Sequence, residues 1–311
     1  MSLALLFPGQ GSQSVGMGKA LADAFAPARA VFEEVDEALG QNLSTLMWDG
    51  PMEALTLTSN TQPALMAHSI AAMRVLEAEA GIAVADAGFV AGHSLGEYSA
   101  LCAAGALSLS DTARLLRIRG DAMQAAVPVG EGAMAALIGI DIAGAEKAVA
   151  AVADKVVCEI ANDNAPGQVV ISGDKASVET VCADAKSYGA KMGKLLPVSA
   201  PFHCSLMAPA GERMAQALSD VDISAPATTL IANVTAAPVS SPDDIRDLLV
   251  KQVTGRVRWT ESVGAMSAQG ADQFLEVGSG KVLTGLVKRI AKGAASANFG
   301  APEDLDTVKG L

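Results

Sequence analysis

Three side chains in this sequence have the types and surroundings for chemistry, a nucleophile, a base and a buried cation: Ser94, His203 and Arg119. Ser94 stands in Gly92-His93-Ser94-Leu95-Gly96, which fits G-x-S-x-G. That pattern holds a serine on a sharp strand-to-helix turn with its hydroxyl exposed. Gly88-Phe89-Val90-Ala91 reads as the close of a short buried strand, and Leu95 to Ala104 carries good helix formers. A serine hydroxyl needs a base to take its proton, most often histidine. The chain has three histidines. His93 adjoins Ser94 and should point away from it on a tight turn, in a structural role. His68 lies at the edge of an apolar helical stripe and reads as a satisfied, partly buried core histidine. His203 sits in a loop between a strand and a helix, Ser199 to Ser205, where α/β folds place chemistry. His203 is therefore the expected base. Cys204 beside it suggests a Cys–His pair, but adjacent residues rarely face each other, and a buried free thiol is the preferred reading.

Arg119 raises a separate question. A helix is expected from Ser110, as N-cap, to about Ala126. At about 100° per residue, Leu115, Leu116, Ile118, Ala122, Met123 and Ala126 share one arc. Arg114, Arg117, Asp121 and Gln124 lie opposite, while Arg119 falls near the middle of the apolar arc. A guanidinium keeps its proton, so its burial requires an anion; leaving it buried and unpaired costs about 3–5 kcal/mol. No carboxylate of this helix lies within one turn on that face. Two readings stay open. An Asp or Glu from elsewhere in the fold pairs with Arg119, or the side chain snorkels out. Alternatively the anion arrives with the substrate, as a carboxylate matching the guanidinium fork.

The elements around these residues alternate between strand and helix. Leu3–Phe7 reads as a strand, followed by a loop from Gly9 to Gly18 that holds four glycines. Helical patterns follow over roughly Ala20–Leu39 and Thr61–Ala80, the second ended by Gly81 and carrying Leu65, Met66, Ile70, Met73 and Leu76 on one face. From Gly132 the order becomes strand (Ala133–Ile138), helix (Ile142–Val152), strand (Val156–Ile160), strand (Gln168–Ser172), helix (Ala176–Ser187), strand (Lys191–Leu196). That β-α-β-β-α-β order is the ferredoxin-like unit. Pro128 and Pro197 flank it. The expected organisation is a large α/β domain of residues 1–129 and 198–311 with a mainly parallel sheet, and an inserted ferredoxin-like domain of residues 130–197. Later strands are expected at Thr229–Ala232 and Gln273–Val277, and the tail beyond Gly300 reads as surface-bound or loose.

Composition narrows the function. The 311 residues suffice for one large domain or two smaller ones. Half are hydrophobic but only 4% aromatic, so the core is expected to be aliphatic. The net charge of −12 argues against nucleic acid and anionic membrane surfaces as partners. Uncharged stretches such as Ala54–Met73 contain Thr, Ser, Asn, Gln, Pro and His, and are poor membrane spans. Met1-Ser2-Leu3 has no basic n-region, so no signal peptide is expected. Cys102, Cys158, Cys182 and Cys204 match neither a zinc site nor a disulfide framework, which predicts free thiols in a reducing cytoplasm and no metal.

Beyond these readings, the chain resembles the malonyl-CoA:acyl carrier protein transacylases of bacterial fatty acid synthesis. The likeness is carried by Phe7-Pro-Gly-Gln-Gly-Ser-Gln13, Thr61-Gln-Pro-Ala-Leu65, Gly92-His-Ser-Leu-Gly-Glu-Tyr-Ser-Ala100 and Arg119-Gly120. It continues through Ala161-Asn-Asp-Asn-Ala-Pro-Gly-Gln-Val-Val-Ile-Ser-Gly173, Pro201-Phe-His-Cys204 and Gln252. These motifs span nearly the whole chain in the family's order. The resemblance implies that Ser94 is malonylated, that His203 is its base and that Arg119 holds the malonyl carboxylate. It implies an oxyanion hole from the backbone N–H groups of Gln10 and Leu95. Gln252 would orient His203 through its main-chain carbonyl, in the place of a triad aspartate. It also implies a hydrolase-like fold with a ferredoxin-like insert, Asn162 and Asn164 facing the cleft, and an influence of Phe202 on acyl choice. No cofactor is implied beyond the substrate malonyl-CoA; the partner is an acyl carrier protein bearing phosphopantetheine, and the chain is expected to act as a monomer. Carrier proteins are usually acidic, so Lys288, Arg289 and Lys292 are candidate contacts, against the simpler reading of a solvated helix face. The alternatives are a serine thioesterase or esterase, a polyketide-type acyltransferase using malonyl or methylmalonyl units, and a non-catalytic carrier-binding module.

Overall fold

The aliphatic run near the start of the chain forms the middle of a sheet in the computed structural model, which describes residues 2–152, 157–198 and 200–309. Ten strands are present among the described residues: β1 Ser2–Phe7, β2 Phe89–Gly92, β3 Gly132–Ile138, β4 Cys158–Ala165, β5 Gln168–Asp174, β6 Met192–Leu195, β7 Thr229–Ile231, β8 Pro238–Val239, β9 Ala271–Val277 and β10 Ala295–Phe299. They make a six-stranded sheet, β10-β9-β1-β2-β7-β8, and a four-stranded one, β4-β5-β3-β6. In the first, β10, β9, β1, β2 and β7 run parallel, and β8 pairs antiparallel at the edge.

A parallel sheet must be covered on both faces, and β1 shows how. Leu5 and Phe7 join one core with Leu65, Ile70 and Leu116; Ala4 and Leu6 join another with Trp259, Phe274 and Val287. This is the two-residue alternation of a strand expressed as two layers. The helix Thr58–Val75 is buried along nearly its whole length, so its expected single apolar face is a fully enclosed rod. It starts three residues earlier than the pattern indicated and passes into a π turn, Leu76–Ala80, ended by Gly81 at φ 66°.

The inserted unit has the expected element order, and its four strands pair antiparallel in the ferredoxin-like arrangement. The strand expected at Val156–Ile160 runs instead over Cys158–Ala165, and Val156 lies outside the described residues. Asn162-Asp163-Asn164 are poor strand formers. Asn162 and Asp163 pair with Val170 and Val169 of β5, and on the other side Asp163 N–H donates to the Val257 carbonyl (3.0 Å) and Val257 N–H donates to the Ala161 carbonyl (2.8 Å). The strand thus bonds to the larger unit and reaches its cleft.

Other expectations shift for local reasons. The single helix over Ala20–Leu39 is two helices, Lys19–Ala24 and Ala26–Leu39, broken at an extended Phe25 before Pro27. The helix carrying Arg119 runs Leu109–Ala126 and is capped by Ser108, whose hydroxyl accepts from Asp111 N–H at 3.0 Å; Ser110 donates to Glu34 instead. β10 had no sequence signal, because Ala295-Ser-Ala-Asn carries few β-formers and pairs only because β9 offers an edge. Up to residue 309 the tail is tied down: Asp304 accepts from Gly300 and Ala301 N–H, and Val308 is buried.

Gly120 sets the crossing of the Leu109–Ala126 helix on the start of Thr58–Val75. A Cβ there would lie 2.6 Å from Ser59 Cα and 2.7 Å from the Thr58 carbonyl oxygen. Close approach at this point brings Arg119 to Gln62. Gly120→Ala is expected to destabilise by about 1–3 kcal/mol through overpacking. Thermal unfolding checks this, and an unchanged midpoint would mean the helices separate freely.

Candidate active site

Ser94 stands at the carboxyl end of β2 with φ 53°, a left-handed conformation that a non-glycine residue holds at a cost of about 1–3 kcal/mol. Both glycines of the pattern are there for close approach. A Cβ on Gly92 would lie 1.9 Å from Gly96 C and O, and one on Gly96 would lie 2.2 Å from the Phe7 carbonyl oxygen. Side chains from distant segments clamp the turn. Asn233 Oδ1 accepts from Ser94 N–H (2.8 Å), Asn233 Nδ2 donates to the Gly92 carbonyl (2.7 Å), and Gln252 Nε2 donates to the Ser94 carbonyl (3.0 Å).

His203 also has a left-handed backbone, φ 58°, in the loop after β6; Ser199 of that loop lies outside the described residues. Its Nε2 is 2.8 Å from Ser94 Oγ. Its Nδ1 faces the main-chain carbonyls of Gln252 (2.9 Å) and Gly255 (3.1 Å). Carbonyls only accept, so Nδ1 carries the hydrogen and the Nε2 lone pair faces the serine. Burial, aided by the Arg119 charge, pushes His203 down to about 3, which keeps the ring neutral.

Arg119 is 1% exposed. Nη1 donates to Gln62 Oε1 (2.7 Å); Nη2 donates to Gln252 Oε1 (2.9 Å) and to Ser94 Oγ (3.1 Å). Its Nε has no partner, and the guanidinium carbon stands 5.7 Å from the Tyr98 ring centroid, whose hydroxyl is likewise unpartnered. Among the described residues no carboxylate forms an ion pair with Arg119. Of the two readings of this arginine, a protein acid in contact with it is therefore not found, and the side chain does not snorkel to solvent.

These groups open on a cleft of about 530 Å³ lined by Gln10, Leu95, Ser94, Arg119, Phe202 and His203. Asn162 and Asn164 of β4 line it from the inserted unit. His93 bonds Asn164 (2.8 Å) rather than Ser94, and its ring centroid lies 5.5 Å from that of Trp259 at a tilt of 57°. His68 is 3% exposed, more deeply buried than expected. Only Nε2 is satisfied, by the Gly300 carbonyl at 2.9 Å; Nδ1 has no partner. Cys204 donates to the Pro201 carbonyl (3.1 Å), and burial pushes its thiol up to about 11, so it makes no pair with His203. Arg289 bonds Gln168 Oε1 (2.5 Å) and the Pro166 carbonyl (2.6 Å), tying its helix to the β4–β5 hairpin; Lys288 and Lys292 remain exposed.

Sequence reading overlooked the roles of Gln62, Glu97 and Asn233. Glu97 had a signal, as the lone acid on the apolar helix Gly96–Ala103. Asn233 had none, since only folding brings it to Gly92 and Ser94.

Residues 4–300 match the family described as the acyl transferase domain. The chain belongs to that family. Among its relatives, the malonyl CoA-acyl carrier protein transacylase of Escherichia coli (strain K12) is 46% identical to this acyl transferase over 96% of each chain. The crystal structure of an acyl-carrier-protein-S-malonyltransferase from Bartonella henselae superposes with a TM-score of 0.96 at 56% identity, covering all of both chains. A malonyl-transacylase solved in complex with its type II polyketide acyl-carrier protein also gives 0.96, at 42% identity over 100% of this chain and 99% of that one. The acyl transferase shares with these proteins the mainly parallel sheet with a separate antiparallel one. Among the described residues no group of His, Cys, Asp and Glu is placed to hold a metal ion, and no helix is long and apolar enough to cross a membrane.

Proposed function

We propose that this acyl transferase moves a malonyl group from malonyl-CoA to the phosphopantetheine thiol of an acyl carrier protein, through a malonyl-Ser94 intermediate, in fatty acid biosynthesis. One observation carries the malonyl assignment: a buried arginine donates to the nucleophile's oxygen and, among the described residues, makes no ion pair with a carboxylate. Relatives named as malonyl transacylases, one of them held by its carrier protein, support the same reading.

In this reading His203 Nε2 takes the Ser94 proton as Oγ attacks the thioester carbonyl. The oxyanion meets the backbone N–H groups of Gln10 and Leu95, each worth about 2.7–4 kcal/mol. The proton on His203 goes to the departing coenzyme A sulfur. The carrier's thiol then gives its proton to His203 and attacks malonyl-Ser94; the Ser94 Oγ–acyl bond breaks, His203 returns the proton to Oγ, and the carrier leaves with the acyl group, in ping-pong order. Arg119 holds the malonyl carboxylate throughout, and the Gln252 carbonyl holds the His203 ring. Neither step calls for a metal or redox cofactor. Phe202, on the cleft wall, limits the acyl side chain. Residues 1–129 and 198–311 form the catalytic domain and 130–197 the inserted one. The enzyme works as a cytoplasmic monomer.

The hydrolase alternative called for a carboxylate on His203 and an internally paired Arg119. His203 has two carbonyls instead, which stabilise an imidazolium less than a carboxylate does. Intact-mass measurement after mixing with malonyl-, methylmalonyl- or acetyl-CoA tests the proposal, with a malonyl adduct on the protein as the expected result. Steady release of malonate without a carrier would favour the thioesterase, and equal methylmalonyl loading the polyketide-type enzyme.

A pH profile checks the base. Because His203 is held near 3, acylation should keep its rate below pH 6.5, where an ordinary histidine takes up a proton. An acid limb in kcat/KM centred at 6.5 would argue against His203 in this role.

A further inference from the structure

Arg119 touches no acid, yet an acid stands one side chain behind it. Glu97 is 2% exposed, and the acyl transfer steps make no use of it. Its Oε2 accepts from the Asn233 backbone N–H (3.1 Å) and from Gln252 Nε2 (2.7 Å). The same Gln252 nitrogen donates to the Ser94 carbonyl (3.0 Å), and Gln252 Oε1 accepts from Arg119 Nη2 (2.9 Å).

A side-chain amide has one donating end and one accepting end, so fixing either end fixes the other. Glu97 Oε2 and the Ser94 carbonyl both accept, and both lie on one side of Gln252. The amide nitrogen must face them, which leaves the oxygen facing Arg119. Turned over, the amide would set its oxygen against two acceptors and its N–H bonds against a guanidinium, both repulsive in a dry site.

We propose that Glu97 is a positioning residue for acyl-donor selection: by locking the Gln252 amide, it holds the Arg119 guanidinium beside Ser94, aimed at a donor's terminal carboxylate. The lock needs an acceptor oxygen rather than a charge. Burial pushes the Glu97 carboxyl up to about 7, against the pull of its hydrogen bonds and of Arg119, and a protonated carboxyl still keeps an accepting oxygen. His203 is outside this chain of contacts, because Gln252 holds it by the main chain. The inference rests on the malonyl reading above.

The test compares loading from malonyl-CoA and acetyl-CoA in Glu97→Met and Glu97→Gln, with thermal unfolding as a control for folding. Glu97→Met removes the acceptor at similar volume. It should lower the malonyl-to-acetyl ratio of kcat/KM by about tenfold, mainly through malonyl-CoA KM, with acetyl loading little changed. Glu97→Gln keeps an accepting oxygen and should keep the ratio within about twofold of the unaltered protein. Equal losses for both donors in Glu97→Met would mean that Glu97 only supports the serine turn, and would overturn the proposal. So would a ratio in Glu97→Gln as low as in Glu97→Met. If Glu97→Met does not fold, Glu97→Ala gives the reading, since it also removes the acceptor and leaves Gln252 in place. The same tenfold fall in ratio is expected, and equal losses again overturn the proposal. Failure of the unaltered protein to load malonyl would instead strike at the malonyl reading, leaving the two outcomes distinct.

Discussion

Ser94→Ala should abolish the acyl adduct in an intact-mass experiment and slow transfer by roughly 10⁴-fold or more, the scale at which loss of a catalytic serine acts in comparable sites. The fold should survive the change. The turn is held by bonds to the Ser94 backbone, from Asn233 Oδ1 to its N–H and from Gln252 Nε2 to its carbonyl, and alanine keeps both groups. Only the hydroxyl contacts are removed, at 2.8 Å to His203 and 3.1 Å from Arg119. Alanine remains strained at φ 53° just as serine is. A persistent malonyl adduct in the variant would place the nucleophile elsewhere and end the present reading of the site.

Arg119→Ala should separate two donors that differ only in a carboxylate. Hydrogen bonds to charged groups are each worth about 1.5–3 kcal/mol, so losing a two-bond contact to the malonyl carboxylate should lower malonyl loading roughly 10²- to 10⁴-fold. Acetyl loading lacks that contact and should fall far less. It will fall somewhat, because Gln62 and Gln252 lose the donor that faces their oxygens. The ratio of the two rates, read from initial acylation kinetics, is therefore the quantity to measure. If both donors lose equally, Arg119 serves the structure of the pocket and the selectivity argument fails.

The sequence was most legible where one local rule was enough. G-x-S-x-G between a strand run and a helix run located the Ser94 turn, because its steric demands fall on residues within four positions of each other. Helical periodicity placed Arg119 among Leu115, Leu116 and Met123, all of which are buried with it. Element order gave the inserted ferredoxin-like unit. Reading failed where long-range contacts overrode local preference. Asn162-Asp163-Asn164 became strand through pairing with β5 and bonds to Val257, and Ala295–Phe299 became strand along β9.

By itself, then, the sequence determined that a serine turn, a loop histidine and a helix-borne arginine exist, and that the arginine is buried on an apolar face. It left open what meets that arginine. Tertiary structure decided this by bringing residues 62, 94 and 252 to one guanidinium and supplying only neutral acceptors. The reason is geometric. Periodicity fixes the face of its own helix on which a side chain lies, whereas the partner across the interface depends on how separate elements pack, and no local pattern encodes that packing.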